Sequence, residues 1–411
     1  MIDAKTKTLS KTLTLIMGSA LLASLSGCGG DGSSDNGGTT ITPPSTTSLF
    51  TQSATWKITN LTKGATTCFD FDAQKESDCT GNTWDVKFEN QERGVKLWSN
   101  SGASGAGKGG VFGLMDWSEL KDYKNATLDP ASNSDISFLY NEDKNGGIFN
   151  QSPWYAYSLN DDHKLYPNNR VYLITTDNTS AEAASSVQMP IYAIQITNYY
   201  NKKAEGGFPE LRWIDTAMPN NVNTQQIDAS SPTDWTYFNL QSGKVVDKSG
   251  VWHMAFKRDS IILNGGSSGT GKVGAYLAEA SKAYYDDKGE PIKAKFMADN
   301  KTESLIALQN IQDFQKPGSA TGWVTDKTGS SLSPAATGNY PKLDYGLFSY
   351  DGANHQMVAN PGKGALIRSA EGNSFARMRL TKINYPDATS TAATSWDFEF
   401  DIQPASATAA K

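Results

Sequence analysis

From about residue 50 onward the chain is dominated by short runs in which apolar and polar residues alternate. "RVYLITT" (Arg170–Thr176) and "YAIQITNYY" (Tyr192–Tyr200) are typical, rich in aromatic and β-branched side chains. A period of two in such residues predicts strands with one buried face. Clusters of Gly, Asn, Asp, Ser and Thr separate the runs and predict frequent turns. Helical periodicity is confined to short stretches such as "VGAYLAEASKAYYD" (Val273–Asp286). The expected class is mainly β, with antiparallel sheets.

The pattern also repeats on a long scale. "TWKITNL" around Trp56 matches "DWTYFNL" around Trp235, and "TWDVKF" (Thr83–Phe88) matches "VWHMAF" (Val251–Phe256). "PWYAYSLNDDHKLYPNNRVYLITT" then matches "YGLFSYDGANHQMVANPGKGALIRSA", "MPIYAIQITNYY" matches "SFARMRLTKINY", and "ELRWID" matches "SWDFEFDI", in the same order. Two similar β-rich domains are therefore expected at residues 49–217 and 225–405, joined by "MPNNVNTQQ". The offset is too long for a solenoid or a propeller blade.

Each copy contains a glycine-rich loop, "NSGASGAGKGG" (Asn100–Gly110) and "NGGSSGTGKVG" (Asn264–Gly274). Both spell most of a phosphate-binding G-x-x-x-x-G-K. The magnesium-binding Ser or Thr is replaced by Gly109 and Val273, and no capped helix follows. A nucleotide site is not expected. A formal net charge of −6 argues against an extended nucleic-acid surface.

The first residues carry an address. Lys5, Lys7 and Lys11 precede an apolar run, Leu13–Leu22, that is short for a membrane span. The run ends in "LSGC" (Leu25–Cys28), which resembles the bacterial lipoprotein signal. That resemblance implies removal of residues 1–27, lipid on Cys28, and a polar tether over 28–48. Gly29 in place of Asp favours the outer membrane. Cys68 and Cys79 can then pair in an oxidising compartment. The acidic residues between them, Asp70, Asp72, Glu76 and Asp78, lack a full calcium-loop pattern and read as a solvated turn. No nucleophile or metalloprotease motif is present, and an enzyme is not expected.

The stretch "DWTYFNLQSGKVVDKSGVWHMAFKRDSIILNGGSSGTGKVGAY" (Asp234–Tyr276), continued by "ALIRSAEGNSFARMRLTKINY", resembles the HmuY family of haem-binding lipoproteins. The first copy is similar more loosely. The resemblance implies haem as cofactor, held by loop fingers and handed to an outer-membrane receptor. The rival is a binding or adhesion lipoprotein that kept the fold without haem.

Haem needs an axial His, Met, Tyr or Cys and an apolar slot. His163 and His355 occupy corresponding loops of the two copies, whereas His253, aligned with Asp85, reads as a scaffold residue. Where better-known family members carry "FSH" this chain has "FSY", placing Tyr350 there and Tyr157 in the first copy. His355 is the first candidate ligand, with Tyr350, Met357 and Met297 as partners. His163 follows, because the first copy is the poorer candidate.

Overall fold

The computed structural model describes residues 47–406, apart from 92–93, 181–184 and 320–321. The expected signal, Cys28 and most of the tether lie outside the described residues. The chain forms two compact units. One combines the residues up to Asp143 with those from Ser330 onward, and the other is Lys144–Gly329.

The first unit has a five-stranded antiparallel sheet in the order Gln52–Ile58, Ser395–Gln403, Phe375–Asn384, Lys363–Arg368, Gly110–Asp116. A four-stranded sheet, ordered Lys75–Ser77, Thr66–Asp70, Val86–Asn90, Val95–Ser99, contributes to the same core. Alternation explains the packing. In Gln52–Ile58 the residues Ala54, Trp56 and Ile58 are buried, and in Ser395–Gln403 so are Trp396, Phe398, Phe400 and Ile402. Trp56 sits opposite Phe398 in register. Phe69 stacks on Trp56 at 5.3 Å and on Phe400 at 5.0 Å. Such ring pairs add about 0.5–1.5 kcal/mol each beyond area burial. Cys68 and Cys79 are disulfide-bonded, with Cα atoms 5.3 Å apart.

The second unit repeats this order. Its five-stranded sheet runs Asn223–Gln226, Gly206–Asp215, Ile191–Tyr200, Val171–Thr175, Gly274–Glu279. Its four-stranded sheet runs Lys244–Val246, Thr236–Asn239, Met254–Lys257, Ser260–Leu263. Val171–Thr175 is buried on both faces. Tyr172 and Ile174 belong to the core shared with Phe238 and Phe256, while Val171 and Leu173 pack with Leu308 and Trp323.

The units are therefore not the consecutive halves 49–217 and 225–405 expected from the repeat. Residues 52–143 are completed by strands from 330–403, and 223–329 by strands from 144–215. The chain passes from one unit to the other after Asp143 and after Gly329, at two similar sequences, "DKNG" and "DKTG". The physical reason is that alternation specifies which face of a strand is buried but not which strand lies beside it. A second expectation also changes. Val273–Asp286 is not an α-helix: Gly274–Glu279 forms an edge strand along Val171–Thr175, and Lys282–Tyr284 makes a single 3-10 turn.

The glycine loops close on their own asparagines. Asn100 Nδ2 donates to the carbonyls of Gly81 and Trp84, and its Oδ1 accepts from the Gly107 N–H at 3.0 Å. Asn264 likewise donates to Trp252 O and accepts from Gly271 N–H at 3.0 Å. Gly102 and Gly266 have φ of +49° and +64°, and a Cβ there would overlap the carbonyl oxygens of Asp143 and Asp326. Strands follow both loops, with no helix N-terminus facing them.

Two pairs of buried groups brace these loops. Asp143 Oδ2 accepts from Ser99 N–H at 2.9 Å, and Asp326 Oδ2 from Leu263 N–H at 2.8 Å. Asp85 accepts from the N–H groups of Phe71 (3.0 Å) and Ala370 (2.7 Å), joining segments distant in sequence. At the matching position, His253 Nδ1 accepts from Leu240 N–H at 3.0 Å. His253 is thus a scaffold residue.

Burial pushes the Asp85 carboxyl up to about 8 and the His253 imidazole down to about 4. The two signs oppose each other. Folded Asp85 holds its proton above the ordinary value of 3.8, so its contribution falls as pH rises from there toward 8. Folded His253 resists protonation below 6.5, so its contribution falls as pH drops toward 4.

Two measurements check this architecture. Phe69→Ala should cost about 3–5 kcal/mol in denaturant unfolding. By hydrogen exchange it should loosen Ser395–Gln403 and leave Gly206–Asp215 unchanged; the reverse pattern would restore consecutive domains. His253→Asn, which keeps an acceptor for Leu240, should remove roughly 3 kcal/mol of acid sensitivity between pH 6.5 and 4. Exchange in Gly206–Asp215, compared at these two pH values, reads that change.

Candidate functional site

The expected ligand residues gather on two β-hairpins, one in each unit. In the first unit, Phe348–Asp351 pairs with Gln356–Ala359, with Tyr350 opposite Met357. Asp351 organises the turn by accepting from the Ala353 N–H and from Asn354 Nδ2, each at 3.0 Å. His355 closes it in the left-handed region, φ 53°. That conformation is uncommon outside glycine, though histidine tolerates it better than most residues. The exposed His355 ring comes 2.8 Å from the Tyr350 hydroxyl, through Nδ1.

The second unit makes the same contact with a different turn. Tyr155–Tyr157 pairs with Leu165–Pro167. His163, φ 55°, precedes the return strand, and its N–H donates to Ser158 Oγ at 3.1 Å. The Tyr157 hydroxyl lies 2.8 Å from His163 Nδ1.

Sequence reasoning named all four residues but not the hydrogen bonds that join them. It also divided them unevenly. Of the set proposed around His355, Tyr350 and Met357 share its unit and Met297 belongs to the other. Met297 ends the helix Lys293–Met297, and its sulfur accepts from Asn160 Nδ2 at 3.6 Å. Asn160 stands in the turn that leads to His163. Met357 remains with Tyr350, but its side chain packs on the core and its N–H donates to the Tyr385 hydroxyl at 2.8 Å. Thus each histidine has a tyrosine at hydrogen-bond distance, and Met297 is the methionine near His163.

In the first unit Tyr350 is among the residues that line an open cleft of about 600 Å³. Leu343, Val358 and Ala359 line it together with Lys342, Asp344 and Asp351. The cleft lies on the four-stranded sheet Thr337–Asn339, Lys342–Asp344, Phe348–Asp351, Gln356–Ala359. Tyrosine and histidine are donor types that haem iron accepts.

One other cluster brings carboxylates together. Asp70, Asp72 and Asp85 place oxygens within 4.8 Å of one another. Both Asp85 oxygens accept backbone N–H groups, and Asp72 accepts from Ser374 Oγ at 2.5 Å. Burial holds the carboxyls of Asp72 and Asp85 above the ordinary carboxylate range, Asp85 the more strongly. These groups serve the fold.

Among the described residues no helix is long and apolar enough to cross a membrane. No curated protein sequence matches the chain. A solved structure, the apo HmuY analog of Tannerella forsythia, aligns at 10% identity over 63% of this chain and 95% of that one, with a TM-score of 0.12. Residues 231–398 match the family described as "HmuY protein". That segment runs through both units, supplying the glycine loop of one and the Tyr350–His355 hairpin of the other. Over residues 231–398, about two fifths of its length, the chain is similar to the HmuY family.

Proposed function

We propose that this chain is a non-enzymatic haem-binding lipoprotein, tethered through Cys28 at the outer membrane, that captures haem and passes it to an uptake receptor. The family match supports haem as the ligand class. The observation that carries the reading is the Tyr350–His355 pair, 2.8 Å apart on a hairpin where His355 is exposed. A strong axial donor on an exposed hairpin suits a carrier, because a receptor can reach the same position and compete for it. Lys342 would meet a haem carboxylate, and Leu343 and Val358 would cover part of the macrocycle.

Burial of apolar area gives haem affinity, and the axial bond gives it position. Titration of the full chain with haemin, followed at the Soret band, should show a saturable shift. The double variant Tyr350→Phe/His355→Ala should bind at this hairpin at least about tenfold more weakly. An absorbance rise without saturation, as haemin aggregates give, would end the haem reading and leave the binding or adhesion module.

A further inference from the structure

We infer that Asp143 is a proton-operated clasp. With a proton it closes the glycine loop Asn100–Gly110 onto the point where the chain leaves the first unit, and on ionising it releases the loop.

Counting hydrogens at Ser104 points to the proton. Ser104 Oγ lies at hydrogen-bond distance from three oxygens: the carbonyls of Ser99 and Ser101, and Asp143 Oδ2 at 2.6 Å. Carbonyls only accept, and a serine hydroxyl brings a single hydrogen. If that hydrogen goes to Asp143, both carbonyls face the hydroxyl oxygen with no hydrogen between. If it goes to a carbonyl, the 2.6 Å contact needs a hydrogen from the carboxyl. A protonated Oδ2 supplies it, so that Asp143 donates to Ser104 and Ser104 donates to the Ser99 carbonyl. Oδ2 still accepts the Ser99 N–H at 2.9 Å.

The other carboxyl oxygen agrees. Asp143 is 1% exposed, and its Oδ1 is buried without a hydrogen-bond partner. That position suits the neutral C=O of an acid far better than half of a carboxylate charge. The side chains of Ser104, Ser330 and Ser99 face the carboxyl. Charged groups of the adjoining segments are turned elsewhere. Glu142, Lys144 and Lys108 are exposed, Lys96 lies over the Trp98 ring, and the Asp85 carboxyl accepts from Phe71 and Ala370.

The main chain ties the same segments together. Ala103 N–H donates to the Asp143 carbonyl at 2.8 Å, and Asp143 N–H donates to Ser101 Oγ at 3.0 Å. The second unit keeps this frame without the closure. Ser267 N–H donates to the Asp326 carbonyl and Leu263 N–H to Asp326 Oδ2, but Ser268, at the place of Ser104, has its hydroxyl buried without a partner.

Burial pushes the Asp143 carboxyl up to about 6, although the serine hydrogen bonds act in the opposite direction. The clasp is therefore strongest below the ordinary value of 3.8, weakens as pH rises from there, and levels off above 6. Opening the loop returns the carboxyl to water, so across that window opening should become up to about a hundredfold more frequent.

Amide exchange over Ser99–Lys108 would be followed in the full chain from pH 4 to 7, corrected for the intrinsic chemical rate. Exchange in Val86–Asn90, a strand of the same unit, serves as the internal reference. The ratio of loop to strand exchange should rise at least about tenfold between pH 4 and 6 and then stay level. In Asp143→Asn, with folding checked by circular dichroism, the side chain keeps an acceptor for Ser99 N–H and a permanent donor for Ser104. Its ratio should hold the acid value throughout. A level ratio in the unsubstituted chain would overturn the inference with no variant needed, and so would an equal rise in Asp143→Asn. Loop protection restored at pH 7 by calcium chloride and removed by EDTA would also overturn it, making the occupant a cation instead of a proton.

Discussion

The antiparallel pairing of Gln52–Ile58 with Ser395–Gln403 is the constraint on which the first unit depends. It joins the two ends of the described chain along seven residue pairs, from Gln52↔Ile402 to Ile58↔Trp396. Once that ladder forms, Trp56 and Phe398 face the same side, and Phe69 can settle against Trp56 and Phe400. Asp85 makes the joint specific by accepting an N–H from Phe71 on one segment and from Ala370 on the other. The second unit reaches the same strand order from 144–215 and 223–329. The two units thus share a strand order, and each draws on both stretches that the repeat was expected to separate.

The hairpins follow from this arrangement. Tyr350 and His355 belong to the segment that completes the first unit, and Tyr157 and His163 to the segment that completes the second. In each case the donor pair and the glycine loop of its unit come from different copies of the repeat. A family match confined to 231–398 therefore covers the glycine loop of one unit and the donor pair of the other.

Much of the strand content was legible, because Ser395–Gln403 and Gln52–Ile58 state their buried face in every second residue. The role of the glycine loops was legible too, since Asn100 and Asn264 head matching loops without the chemistry of a phosphate site. Strand partners were not, because pairing is set by contacts between remote residues. A signal for the crossovers was nevertheless present. Asp143 and Asp326 begin "DKNG" and "DKTG", and each accepts the backbone N–H of the residue preceding a loop asparagine. Residue type identified the tyrosines and histidines as donors. Their pairing depended on positive φ at His163 and His355, which composition does not encode.

The interleaved connectivity has a consequence for the order in which the protein is made. A chain delivered from its N-terminus presents Gln52–Ile58 first, yet that strand has no neighbour until Ser395–Gln403 arrives. The second unit begins later and finishes earlier, since all its strands lie within Lys144–Gly329. Trp56, Phe69 and Phe88 must therefore wait for Phe398, Phe400 and Trp396 while an entire unit closes downstream. Segments in that condition are where aggregation begins during synthesis. An exported protein with this topology has reason to depend on a holding chaperone for its first hundred residues rather than its last.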